Sequence, residues 1–140
     1  MTTQQKVLDF LKRHEDCVMA TVGDSGLPQA AVVGFSETPQ LELMIGTTKA
    51  SRKYRNLQQN PHVAIVVGFS GSVTVQYEGT ARVLSGAELA DRQQLHFQKI
   101  PGVVHYKDDP DQVYFSISPT WVRYTDFTQE QPVEELRQFS

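Results

Sequence analysis

The sequence predicts a mainly β protein, a β-barrel with short helices, whose strands are largely antiparallel. Three observations carry this. Six or seven short runs have strand character, and one of them alternates strictly between apolar and polar residues. Only three segments have helical spacing, and they fall irregularly rather than after each strand, which excludes a βαβ series. An antiparallel sheet of this size removes its exposed edges most simply by closing on itself.

In chain order, Gln4 to His14 is amphipathic, with Val7, Leu8, Phe10 and Leu11 on one face and Lys6, Asp9, Lys12 and Arg13 on the other, so it should be a helix. "CVMATV" and "LPQAAVVGF" flank the turn-rich "GDSG" and read as a hairpin. "AAVVGF" and the later "HVAIVVGF" are apolar at consecutive positions, predicting strands covered on both faces. Between them, "QLELMIGT" is a strand with Leu41, Leu43 and Ile45 set against Glu42 and Met44, entered through a Thr38-Pro39 turn. A short helix follows and stops at Asn60-Pro61, because proline disfavours a helical residue before it.

"VTVQYEGTARVL" puts Val73, Val75, Tyr77, Ala81 and Val83 on one face, and Gly79 marks a bulge or barrel bend. "GAELADRQQLHFQKI" is the third helix, with Leu89, Leu95, Phe97 and Ile100 as its apolar members and Ser85 or Gly86 before its first turn. "PGVVHYKDDPDQ" reads as a polar loop, and "VYFSIS" and "TWVRYTDF" as two strands joined near Pro119. The tail from about 128 to 140 is acidic and weakly patterned. A chain of 140 residues without an internal linker is expected to be one domain, 1–140.

A net charge of −3 argues against nucleic acid or an anionic membrane as partner, since both need a basic excess. No run approaches the roughly 18 apolar residues of a membrane span. The N-terminal residues lack a signal peptide's apolar block, so a cytoplasmic location is expected. The single cysteine, Cys17, sits between strand residues and reads as a buried thiol. His14, His62, His96 and His105 show no ligand spacing, so no metal site is expected. "GFSGSV" is a strand-to-strand turn rather than a phosphate loop, because no helix follows it. Glu78 and Asp126 read as solvated strand carboxylates, and no catalytic residue can be named.

The informative stretch is "GTTKASRKYRNLQQNP". Ser51 can cap the helix, which places Arg52 and Lys53 in its first turn, with Lys49 and Arg55 close by. That end of a helix dipole favours anions, so cations gathered there repel one another unless an anion joins them. A phosphate would convert the repulsion into charge-assisted bonds, with the hydroxyls of Thr47, Thr48 and Ser51 as further donors. A solvated basic helix is the alternative reading, since exposed charges cost little.

The order "GLPQAAVVGF", "LELMIGTTKASRKYRNLQQNPHVAIVV", "VQYEGTARVL" resembles the pyridoxamine 5′-phosphate oxidase-like family of FMN-binding split barrels, over roughly residues 5 to 127, and its short general-stress members most. The resemblance implies a six-stranded antiparallel split barrel that forms a homodimer with FMN at the subunit interface. It implies a flavin-dependent oxidoreductase of unknown substrate. Related members bind a deazaflavin or haem, so a non-catalytic cofactor module is the alternative. Carried over by position, Arg52 and Lys53 match the phosphate-binding pair, and Ser51 stands beside them. Gly46 and Thr47 match the strand end that reaches the cofactor, Val32 and Val33 the strand that borders the flavin ring, and Thr74 a flavin-contacting position. Trp121, Arg123 and Tyr124 are candidates for the substrate side. Ala31 and Ser36 fall where the oxidase itself has an arginine and a lysine, and an arginine-rich C-terminal segment is missing. Both departures weigh against pyridoxamine phosphate as substrate.

Overall fold

A computed structural model describes all 140 residues, Met1–Ser140. Helix α1 (Thr3–Lys12) is held by a capping box in which Thr2 and Gln5 satisfy each other's backbone N–H groups. Strands β1 (Asp16–Val22) and β2 (Pro28–Gly34) form the expected hairpin, its turn closed by Gly23 N–H on Leu27 O at 2.9 Å with Gly26 at φ 82°. After Gly34 and Phe35 the chain enters the two-residue strand β3 (Ser36–Glu37), turns at Thr38, and runs through β4 (Leu43–Thr48). Helix α2 (Arg52–Gln59), β5 (His62–Val67) and β6 (Val73–Val83) follow. Then come α3 (Gly86–Lys99), a 3₁₀ turn (Pro101–Tyr106), β7 (Gln112–Asp126) and β8 (Val133–Leu136).

Every strand belongs to one antiparallel sheet, ordered β2-β1-β5-β6-β7-β4-β3 with β8 added to β7. The sheet curls into a split barrel. β2 and β4 approach each other without sharing a ladder, and the continuous β2–β3 segment carries the chain from one edge to the other. Inside lies a core that includes Phe35, Leu43, Ile45, Ile65, Val75, Tyr77 and Ile117, closed at one side by Val7, Phe10 and Leu11 of α1. The Tyr77 hydroxyl lies 2.8 Å from Leu41 O and 3.0 Å from Ile117 O, so its polar atom is satisfied at the centre of the core. Leu41 adopts φ 64°, held by the Thr38 turn and by that hydroxyl.

Several expectations need correction. The two strands expected to be covered on both faces alternate instead: Val33, Val63, Ile65 and Val67 point inward, while Val32 is 64% and Val66 38% exposed. On these two strands one chain covers only the inner face, and consecutive apolar residues do not report which neighbour covers the other. The two strands expected around Pro119 are one strand of 15 residues. Pro119 lacks an N–H, and it is accommodated at a bulge in β7 itself, where Thr120 is the extra residue between Pro119 opposite Gly79 and Trp121 opposite Glu78. The freed Glu78 carbonyl accepts from Thr120 Oγ1 at 3.1 Å. β7 changes parity across that extra residue, so Ile117 and Val122 both point inward, while β6 keeps its alternation as far as Ala81 and Val83 at its end is exposed rather than inward.

The polar loop after α3 contains the 3₁₀ turn, and the acidic tail supplies β8. Met44 is fully buried on the outer face of β4 with Leu84 and Tyr114, covered by Leu89 and Phe97 of α3. That helix buries the apolar face expected of it only in part: Leu89 and Phe97 pack on this cluster, Leu95 is exposed, and the fully buried residues are Arg92 and His96.

Candidate functional site

β4 and β1 present one surface to α2, and the start of α2 lies beside β2. Ser51 caps the helix, accepting from Tyr54 N–H at 3.1 Å, and Thr47 Oγ1 donates to Ser51 Oγ at 2.8 Å. The N–H groups of Arg52 and Lys53 are left without an acceptor in the chain. Arg52 Nε donates to Gln29 Oε1 of β2 at 2.9 Å, and the same oxygen accepts from Asn56 Nδ2 at 2.9 Å. Asn56 also donates to Thr21 Oγ1 of β1. These bonds tie α2 to the hairpin and fix the direction of the Arg52 guanidinium.

None of Lys49, Arg52, Lys53 and Arg55 forms an ion pair. Elsewhere the cations find carboxylates readily: Lys6 with Glu134, Arg82 with Glu88, Lys99 with Glu37, Arg123 and Arg137 with Glu135. Unpaired charge is therefore confined to few places, and the start of α2 is the densest. A polar cleft of 360 Å³ adjoins it, lined by Gln29, Arg52, Arg55, Asn56 and the loop residues Asp24 and Ser25.

The residues singled out in the sequence fall into two groups. Gly46, Thr47, Ser51, Arg52 and Lys53 lie together where β4 passes into α2. Val32 and Val33 sit near the end of β2, Val33 inside the barrel and Val32 on its outer face. Trp121 and Thr74 lie elsewhere. Trp121 pairs with Glu78, and the row continues through Ala64 and Ala20 to Ala30 of β2. Four strand spacings separate the row's ends, roughly 19 Å along the sheet. One chain does not bring Trp121 to the α2 site. The indole is on the outer face rather than in the core, its N–H 3.3 Å from Glu135 Oε2 and its ring 5.3 Å from the Arg123 guanidinium. Thr74 donates to Val67 O at 3.2 Å, and Tyr124 packs against Phe10 and the core.

Cys17 is fully buried, and burial pushes its thiol up to about 12, which suits packing and not nucleophilic use. Glu78 is exposed, and the Thr128 hydroxyl holds the Asp126 carboxyl below its usual range.

The polar face of α3 was missed in the sequence. Arg92, His96 and Lys99 recur at i, i+4 and i+7 and turn toward the barrel. Arg92 Nη1 donates to Ser116 Oγ at 2.9 Å and to Glu42 at 3.2 Å, while its Nη2 is buried without a partner. Lys99 pairs with Glu37, donates to Leu11 O at 3.1 Å and lies 3.8 Å over the Phe35 ring. Burial holds both cations below their usual pKa, against the carboxylates beside them. His96, 3% exposed, has Nδ1 2.7 Å from Ser36 Oγ. Burial first, then the Lys99 and Arg92 charges, lower its pKa to about 4, so the ring is neutral near neutral pH. The periodic basic stripe was the available signal, and it resembles a solvated helix face.

A family profile described as pyridoxamine 5′-phosphate oxidase matches residues 3–126. The chain belongs to the pyridoxamine 5′-phosphate oxidase-like family. This member is 31% identical over 134 residues to general stress protein 26 of Bacillus subtilis (strain 168), covering 93% of each chain. Among solved structures it resembles general stress protein 26 of Bacillus anthracis str. Sterne, with a TM-score of 0.79 at 22% identity, covering 99% of this chain and 100% of that one. It also resembles a haem-binding protein from Mycobacterium smegmatis, with a TM-score of 0.84 at 17% identity, over 98% of this chain and 59% of that longer one. A further neighbour is HutZ, a haem storage protein of Vibrio cholerae, with a TM-score of 0.73 at 17% identity, over 85% of this chain and 91% of that one. At these identities the structural neighbours show the split barrel alone. No helix of this family member is long and apolar enough to cross a membrane.

Proposed function

We propose that this protein binds FMN through the start of α2 and acts as a flavin-dependent oxidoreductase. The observation that carries the proposal is the cluster of four cations around a helix N-terminus with no carboxylate paired to any of them. The donor set fits a phosphate dianion: a guanidinium oriented by Gln29, an ammonium, two free backbone N–H groups and the Ser51 hydroxyl, whose own proton is left free while its oxygen accepts from Thr47. Bound FMN would supply two-electron redox chemistry. The chain would hold the phosphate with Arg52 and Lys53 and set the ring against β2 and β4. It offers no paired acid and base at that place, and hydride transfer to a flavin requires none.

Dimerisation accounts for the remaining residues. The outer face of β2, β1 and β5 is a smooth surface of Val32, Ala30, Val18, Ala20, Ala64 and Val66, with no side chain of its own chain over it. A second copy of this chain would cover it, restoring the two-sided burial that the apolar runs suggest, and would bring its Trp121 and Thr74 toward the first copy's α2 site. Size-exclusion chromatography with light scattering should report a dimer. Titration with FMN should quench flavin fluorescence, and Arg52→Ala with Lys53→Ala should weaken binding at least tenfold, as loss of two charge-assisted contacts implies. Unchanged affinity in the double variant would refute the site.

The second reading is a haem-binding module, favoured by the two haem-binding structural neighbours and by the one buried neutral imidazole, His96. A Soret band on reconstitution, without flavin binding, would select it.

A further inference from the structure

The seam between β2 and β4 holds a cavity of 270 Å³. Gly34 of β2 and Gly46 and Thr47 of β4 border it, and α3 with the 3₁₀ turn roofs it through His96 and Tyr106. A side chain on either glycine would press on the neighbours that border the cavity. A Cβ on Gly46 would stand 2.6 Å from Gln112 Nε2 and 3.0 Å from the Tyr114 ring, and one on Gly34 would meet Ile100 Cδ1 at 3.3 Å. The cavity is just smaller than the usual range of about 300–1,000 Å³ for a whole ligand, so it suits one part of a larger molecule. Thr47 belongs both to this cavity and to the hydroxyl pair at the start of α2, so the two sites are contiguous.

His96 is the one buried imidazole of the chain, and it lies at the seam. Ser36 occupies Nδ1 and fixes the ring's rotation. That leaves Nε2 as the nitrogen without a partner in the chain, on a residue that lines the cavity. Ser36 bonds the ring, Phe97 and Tyr114 meet it in tilted edge contacts at centroid distances of 5.9 and 6.2 Å, and the Lys99 and Arg92 charges act on it. A fixed imidazole with one nitrogen committed to the protein and one offered to a cavity is a recognition group for a neutral hydrogen-bonding edge.

We propose that His96 is a ligand-contacting residue, its Nε2 hydrogen-bonding the heteroatom edge of a planar nitrogen heterocycle seated in the seam, with Ser36 as its positioning residue. This rests on the flavin reading, and it names the group on this chain that reads the ring rather than the phosphate. Two substitutions separate the two nitrogens. His96→Gln keeps an amide near the Nε2 position, and His96→Asn keeps one near Nδ1 and leaves the cavity side empty.

Fluorescence titration with FMN should show His96→Asn weakened by about tenfold and His96→Gln within about threefold of wild type, the scale of one buried hydrogen bond. Lumichrome, which has the ring and no phosphate, should lose affinity in His96→Asn and keep it in the Arg52→Ala, Lys53→Ala variant. On the unaltered protein, FMN should shift the His96 Nε2 resonance in a ¹⁵N spectrum and leave His14 in place. This second readout holds even if a variant folds poorly. Wild-type affinity in His96→Asn together with an unmoved Nε2 resonance overturns the contact while leaving the phosphate site standing. A wild-type protein that binds no FMN overturns both. Loss of affinity in His96→Asn alongside normal FMN binding in the Arg52, Lys53 variant removes the phosphate site and keeps the contact.

Discussion

His96 makes stability depend on acidity in a window where little else titrates. Its pKa falls from the ordinary 6.5 to about 4 on folding, because burial beside Lys99 and Arg92 disfavours the imidazolium. A group lowered on folding stabilises the native state above its unfolded pKa. That stability drains as the pH falls toward the folded value. Between about pH 7 and about pH 5 the unfolded chain takes up about three quarters of a proton at this position and the folded chain a small fraction of one. Integrating the two titrations gives a loss of about 2 kcal/mol over that interval. Carboxylates stay largely ionised there, so His96 dominates the change. Urea unfolding of wild type and His96→Gln at both ends of the interval measures it, and the difference between the two proteins cancels the other three histidines. Wild type should lose about 2 kcal/mol more than the variant. Equal losses in the two proteins would mean that His96 is solvated in the native state and that the buried polar face of α3 is misread.

Gly79→Ala should destabilise by about 3 kcal/mol or more in thermal or chemical unfolding, since its Cβ would stand 2.4 Å from Ser118 O, a backbone atom that cannot swing aside. A Gly79→Ala variant as stable as wild type would show that the bulge at Pro119 has room the structure denies it. Arg92→Met should leave stability unchanged or raise it by about 1–2 kcal/mol, because it removes a desolvated cation with one orphaned nitrogen and leaves Glu42 able to reach solvent; a loss above about 2 kcal/mol would contradict this. Ser51→Ala should cost about 1 kcal/mol in unfolding as the cap on Tyr54 N–H disappears, and should weaken FMN binding in addition. An unchanged melting temperature would refute the cap.

Elements with local signatures were legible in the sequence. The hairpin turn and α2 between its Ser51 cap and Asn60-Pro61 each depend on residues close together in the chain, and Gly79 marks the place in β6 where the register shifts. The phosphate candidates were legible for the same reason, since Thr47, Ser51, Arg52 and Lys53 span one strand end and one helix start. The errors came where distant residues decide. Pro119 breaks most strands, and β7 continues only because pairing with β6 on both sides holds a bulge at Pro119 and Thr120. Arg92, His96 and Lys99 look like a solvated stripe until Glu37, Glu42 and Ser36 arrive from the other side of the barrel. Val133 and Leu136 make a strand only because β7 offers an open edge. The outward valines of β2 and β5 were read as covered, and what would cover them is not in one chain.

The absence of a ladder between β2 and β4 has a mechanical meaning. A barrel laced on every seam has one girth, because widening it anywhere breaks hydrogen bonds. This one can dilate along a single line where only side chains touch, and its glycines there set how narrow the slit becomes at rest. Relatives could therefore wedge molecules of different thickness into the same slit by resizing its lips and leaving every ladder intact.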